Sequence, residues 1–170
     1  EDDKRAARVI EALRRMLRRQ EPERRPTDLC EVVGDMSQLL HSEFIRQHIQ
    51  LDQECSRGSL ALVDRGQIQQ VVLNLVMNAI EAMSDMPYEH RRLSIRVFRS
   101  EGDEVRTEVS DCGPGFSDEQ LARPFEAFWT TKRRGTGLGL AICSSIVSSH
   151  GGRMRVGRNP RGGARVVVVV

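Results

Sequence analysis

The residues best placed to do chemistry begin with a line of polar side chains between Gln67 and Asp85. With an advance of about 100 degrees per residue, the α-helical step, Gln67, Gln70, Asn74, Asn78, Glu81 and Asp85 fall within roughly ±40 degrees of one another. Ile68, Val72, Leu73, Leu75, Val76, Met77, Ala79, Ile80 and Met83 occupy the rest of the wheel. The pattern is a polar slit in an apolar cylinder. A buried amide without a partner costs about 1–3 kcal/mol. The slit is therefore expected to face a polar ligand or another polar element. An ordinary amphipathic helix with a narrow wet side gives the same pattern.

Downstream lie two glycine clusters. Gly135, Gly137 and Gly139 precede a helical pattern, and backbone without Cβ can bring the N–H groups of a helix start close to an anion. No Lys-Ser/Thr pair follows, and the preceding segment does not read as a strand, so the run is neither a Walker loop nor a dinucleotide fingerprint. On its own it also serves a tight turn. Asp111 ends a predicted strand beside Gly113 and Gly115, where its carboxylate could accept from an exocyclic amine while the glycines pass beneath a flat ring. The same string also forms a simple turn. Between the clusters, Phe125, Phe128 and Trp129 precede Thr130, Thr131 and Lys132. They read as an aromatic lid carrying a point charge for a terminal phosphate, or as an anchor holding a loop to the core.

The elements that must hold these residues follow from periodicity. Ala6, Val9, Ile10, Leu13, Met16 and Leu17 form a bundle-type stripe over residues 1–20, with nowhere obvious to bury itself. Glu21 to Pro26, dense in charge and proline, reads as a linker. Leu29, Val32, Val33, Met36, Leu39 and Leu40 predict one helix ending near Glu43. Ile49 and Leu51 predict a short strand, and Leu60 to Val63 another. Asp64 with Gln67 opens the slit helix like a capping box. Leu93, Ile95, Val97 and Val105, Thr107, Val109 keep a period of two across Gly102-Asp103, a hairpin. Ser117 to Arg134 shows little periodicity, and so long a loop is usually functional. A helix from Leu138 stops at Gly151-Gly152, and strands near Arg153–Val156 and Ala164–Val170 close the chain. About three helices and roughly six or seven strands predict an α/β two-layer sandwich, its sheet mixed but mostly antiparallel, its helices on one face, with an added N-terminal stalk helix.

The 170 residues suffice for one ordinary domain and an appendage. A net charge of +2 gives no signal for nucleic acid. Cys30, Cys55, Cys112 and Cys143 have no metal-ligand spacing and read as free thiols in a reducing cytoplasm. No apolar run approaches the ~20 residues of a membrane span.

Taken together, the order and spacing of these boxes resemble the ATP-binding catalytic domain of sensor histidine kinases, within the wider group that includes gyrase, Hsp90-type chaperones and mismatch-repair ATPases. The resemblance rests on Asn74-Leu-Val-Met-Asn78-Ala-Ile-Glu81-Ala-Met83, Asp111-Cys-Gly113-Pro-Gly115, Phe125-Glu-Ala-Phe128-Trp-Thr-Thr-Lys132 and Gly135-Thr136-Gly137-Leu138-Gly139-Leu140-Ala-Ile142. It implies binding of ATP and Mg²⁺. Asn78 would coordinate the metal and Asn74 support the phosphates and metal-bound water, with Glu81 on the same helical line. Asp111 would hold the adenine amine in a pocket shaped by Gly113 and Gly115. Lys132 would reach the γ-phosphate from a lid that includes Phe128 and Thr131. Gly135, Thr136, Gly137, Leu138, Gly139 and Leu140 would fold that lid over the triphosphate.

The related ATPases carry a glutamate where this chain has Asn74. An amide accepts no proton at neutral pH, so rapid hydrolysis is not expected and the nucleophile must come from elsewhere. None of His41, His48, His90 and His150 lies on a helix before the linker, where the family carries its phosphorylated histidine. Residues 1–20 then read as a remnant of the second helix of a dimerisation and phosphoacceptor domain, 21–25 as linker and 26–170 as the catalytic domain. Expected partners are that helical domain of the same kinase, a response regulator, and a second copy through the N-terminal helix. No nucleic-acid partner and no membrane contact are expected of this domain, and the expected location is cytoplasmic, with the parent open to a membrane anchor. Trp129 and Cys112 depart from the residues common in related kinases, Phe and Asn. The rival readings are an ATPase or serine/threonine kinase of the same fold, and a silent nucleotide-binding or dimerisation module.

Overall fold

The computed structural model describes residues 22–100, 102–128 and 137–170. The expected stalk helix, and Trp129 to Thr136 of the lid, lie outside them. Strand β1, Arg25–Asp28, pairs antiparallel with β3, Leu60–Val63, as a two-stranded sheet. Arg25 and Pro26 therefore stand in a strand where the sequence reading placed a linker. A proline can occupy this position because a two-stranded sheet leaves each strand an open side, where a missing N–H costs no ladder bond.

Asp28 caps helix α1, Leu29–Leu39, by accepting from the Cys30 N–H at 2.9 Å. Leu29, Val32, Val33 and Met36 fill its buried face. The single helix expected to run to Glu43 is broken at Leu40, whose φ and ψ of −92° and 4° end α1 and start α2, His41–Arg46. The break swings Phe44 into the core and leaves Leu39 and Ile45 exposed.

Strand β2, Gln50–Cys55, runs parallel to β4, Arg92–Arg99, and the connection between them contains β3 and helix α3, Arg65–Ala82. Asp64 caps α3, accepting from the Gln67 N–H at 3.0 Å. Strand β5, Val105–Asp111, returns antiparallel from β4 across Gly102, whose φ of +80° suits glycine. A short helix α4, Asp118–Ala122, occupies part of the segment read as loop. It is stabilised by a reciprocal Ser117–Gln120 capping box. Helix α5, Gly139–Ser149, then leads to β6, Arg153–Arg158, and β7, Ala164–Val169.

The main sheet has the order β2-β4-β5-β7-β6, parallel only between β2 and β4. Leu93, Ile95, Val97, Val105, Val109, Val166 and Val168 point from it toward the helices, as their period of two requires. Ile68, Val72, Leu75, Val76, Ala79 and Ile80 of α3 meet them. Helices α1 and α5 flank α3 on the same face. This is the expected sandwich, with α1, α3 and α5 as its helical layer. His150, at the end of α5, ties two of these helices together: Nε2 accepts from the Asp64 N–H at 3.0 Å and Nδ1 donates to the Ile146 carbonyl at 2.8 Å.

Candidate functional site

The polar line of α3 runs between α3 and α5. Gln67, Gln70, Asn74 and Asn78 are half-buried, whereas Glu81 and Asp85 are exposed, so the line opens outward toward the end of the helix. Asn74 Nδ2 donates to Cys143 Sγ at 3.7 Å. That thiol, buried against α3, also donates to the Val71 carbonyl at 3.9 Å, and burial pushes its pKa up to about 12. It is a neutral packing group. The middle of the line thus meets another element, and the line becomes exposed only at Glu81 and Asp85.

The outer half of the line meets the start of α5. A Cβ placed on Gly139 would lie 3.4 Å from Asn78 Nδ2 and 3.8 Å from Oδ1. Glycine there leaves a gap of about one methyl group between the amide and the helix start. Leu138, at the N-cap, is buried, and among the described residues no side chain caps the helix. Ile142 makes the first intrahelical bond, to the Leu138 carbonyl, so the N–H groups of Gly139, Leu140 and Ala141 precede it. Phe128 is exposed with φ +67°, and its N–H donates to the Gly137 carbonyl at 3.1 Å, where the described residues stop and resume. Thr131, Lys132, Gly135 and Thr136 lie outside the described residues.

Asp111 closes β5 with 6% of its surface exposed. Its Oδ1 accepts from the Gly113 N–H at 2.8 Å and the Ala164 N–H at 3.1 Å. Two main-chain donors hold the carboxylate in one orientation. The loop after it is pressed against the end of α3: a Cβ on Gly113 would come 3.2 Å from both the Cβ and the carbonyl oxygen of Ala82. Asp111 and the outer end of the polar line are thereby brought to one side of the molecule.

The sequence reading missed what supports Asp111 from behind. Asn159 Nδ2 donates to the Asp111 carbonyl at 3.0 Å, and Gly163, with φ +95°, passes so close that a Cβ would sit 2.1 Å from that same oxygen. Gly115, φ +75°, is in turn packed on Gly163. The available signal was the string Asn159-Pro160-Arg161-Gly162-Gly163, readable only as a turn without knowing what it touches. Cys112 is half-buried in the same loop.

The family described as histidine kinase-, DNA gyrase B- and HSP90-like ATPase matches residues 63–170, which is most of the chain. The chain belongs to this family. Among curated relatives of this histidine kinase-type domain, the sensor histidine kinase TmoS of Ectopseudomonas mendocina is 38% identical over 96% of the chain and the sensor protein FixL of Bradyrhizobium diazoefficiens 39% over 94%. The chain spans only 17% and 32% of their lengths. The solved catalytic domain of histidine kinase ThkA superposes with a TM-score of 0.77 at 29% identity, covering 87% of this chain and 95% of that one. Full-length ShkA in complex with AMPPNP superposes with a TM-score of 0.80 at 27% identity, covering 95% of this chain and 34% of that one.

Proposed function

We propose that this chain is the catalytic part of a two-component sensor histidine kinase, binding ATP with Mg²⁺ and passing the γ-phosphoryl to a histidine on a helical dimerisation domain. The observation that carries the reading is the juxtaposition at the open end of α3. A main-chain-fixed carboxylate, Asp111, stands on one side of it, and on the other an amide, Asn78, lies against a helix start built of glycine.

A nucleotide laid along that line fits each part. The base end meets Asp111, whose carboxylate oxygens can accept from an adenine amine. The phosphates meet the N–H groups opening α5. The gap at Gly139 suits a metal-bound phosphate oxygen beside Asn78. Among the described residues no three His, Cys, Asp or Glu side chains converge as a cage. Mg²⁺ commonly binds through few protein ligands plus substrate phosphates. When bound, it would neutralise charge on the transferring phosphoryl, with Asn78 as its protein ligand.

Asn74 has no basic group to offer a water and is held by Cys143. A neutral imidazole needs no base, because its lone pair attacks phosphorus as the bond to the departing ADP oxygen breaks. Positioning and charge neutralisation then carry the chemistry. Lys132 would supply further positive charge, and Thr131, Gly135 and Thr136 are proposed as further nucleotide-binding residues. A helical acceptor domain to which residues 1–20 would belong, joined to the catalytic part through the segment before β1, and a response regulator as later acceptor, complete the proposal. His150 is no acceptor candidate, since both its ring nitrogens are engaged.

The test is to mix the chain, ATP–Mg²⁺ and the parent's dimerisation domain. Acid-labile, base-stable phosphohistidine on that domain is expected, with little ATP consumed in its absence. Brisk hydrolysis without an acceptor would overturn the kinase reading in favour of an ATPase.

A further inference from the structure

Strand β2 is the terminal strand of the main sheet. The Gln50 N–H donates to the Arg91 carbonyl at 2.9 Å and the Ser56 N–H to the Val97 carbonyl at 2.8 Å, so even-numbered residues face β4. In a parallel ladder alternate residues bond the neighbour on one side. The main-chain groups of Leu51, Gln53 and Cys55 therefore point to the other side, where no strand lies among the described residues. Natural edges are commonly blunted by proline, bulges or charged side chains, lysine above all, and the charges of this strand, Asp52 and Glu54, both lie on one face. Gln50–Cys55 has no proline or lysine, and it stays in unbroken register with β4.

The two faces of this edge differ. The register places Leu51, Gln53 and Cys55 on the helix side, level with the buried Leu93, Ile95 and Val97. Alongside them lies a groove of about 780 Å³, lined by Ser37, Phe44, Ile45, His48, Leu51 and Tyr88 among others. His48 and Tyr88, both in its lining, stack with ring centroids 4.3 Å apart. The opposite side presents Asp52 and Glu54, both exposed, with Glu54 paired to Arg96 at 2.9 Å.

We infer that the open edge of β2 is a docking strip for an extended segment of another protein, one that alternates basic with apolar residues. Such a segment would complete the outward hydrogen bonds, place its apolar side chains over the groove and set its basic ones opposite Asp52 and Glu54. A second copy fits poorly, because antiparallel pairing about Gln53 sets Asp52 against the other copy's Glu54, and like charges directly opposite repel. The same carboxylates disfavour nucleic acid. The strip flanks α1, whereas the nucleotide line lies between α3 and α5, so the two sites can be filled together.

The probe is a capped eight-residue peptide alternating Lys with Val. Controls are a peptide of the same composition in two blocks and one alternating Glu with Val. Titration into the full 170-residue chain should show saturable binding of the first alone, with slowed amide exchange confined to the segment holding Leu51, Gln53 and Cys55. Gln53→Pro removes an outward N–H and spares the β4 ladder, and should weaken binding at least about tenfold. Should that variant fold poorly, the Asp52→Lys/Glu54→Lys double variant decides, and its preference should pass to the Glu-Val peptide. Equal binding of the block peptide, protection elsewhere, no binding, or an unchanged preference in the charge-reversed variant would each overturn the inference. So would self-association of the chain alone that protects β2.

Discussion

Asn78 and Asp111 answer to different physical demands, and substitutions separate them. Asn78 is half-buried beside Gly139. Asn78→Ala should remove Mg²⁺-dependent nucleotide affinity while the free chain still folds. Calorimetric titration with and without Mg²⁺ reads both, and unaltered affinity would take Asn78 out of the metal site. Asp111 has a structural duty as well. Its Oδ1 satisfies the buried Ala164 N–H and the half-buried Gly113 N–H, so Asp111→Ala leaves both without this acceptor at a cost of roughly 1–3 kcal/mol. Asp111→Asn keeps an acceptor oxygen. It should retain most stability in urea yet lose adenine binding, a split that a purely structural Asp111 would not give. At this scale the sequence was informative where chemistry is local. Asn74, Asn78, Asp111 and the glycines are singled out by type and spacing, and their proposed roles are what these substitutions test. Asn159 and Gly163 are not, because their role exists only through contact with a loop some fifty positions earlier.

At the scale of elements, periodicity gave the strands and the three long helices, and tertiary contacts decided the rest. Nothing local distinguishes Leu40 as a break in a continuous apolar stripe; the break follows from Phe44 and Leu29 both needing the core. Strand β1 exists because β3 is there to pair with it. Helix α4 was legible in its Ser117–Gln120 capping box and was missed because the apolar pattern around it is weak. The α3–α5 packing can be probed through its thiol. The raised pKa of Cys143, caused chiefly by burial, means that the folded chain holds this proton more tightly than the unfolded one. Its contribution is therefore fully present below the ordinary thiol value of 9.0 and is lost as pH rises toward about 12. At pH 8, iodoacetamide should modify exposed Cys55 readily and leave Cys143 untouched until denaturant opens the helical layer. Mass mapping of the alkylated cysteines reads this directly. Labelling of Cys143 at the rate of Cys55 would mean that α5 does not pack on α3 as described.

For the whole molecule, the layers explain why one ligand should stabilise everything at once. The proposed nucleotide line touches the end of α3, the start of α5 and the loop after β5, and that loop is locked to the β6–β7 turn through Gly163 and Asn159. Each of these elements is rooted in the shared core between sheet and helices. A ligand bound only by the folded state adds RT ln(1 + [L]/Kd), about 2.7 kcal/mol at a hundredfold excess over Kd. For a chain of this size each 1 kcal/mol raises the melting temperature by roughly 2–4 °C. ATP–Mg²⁺ at that excess should thus raise it by about 5–11 °C in one cooperative transition. ATP with a chelator should give only the smaller part supplied by the base pocket, and Asn78→Ala should respond alike with and without Mg²⁺. If ATP–Mg²⁺ left the transition unmoved at concentrations where titration shows binding, the ligand would be attached to something other than this junction of elements, and the proposed placement would be wrong even though a nucleotide binds.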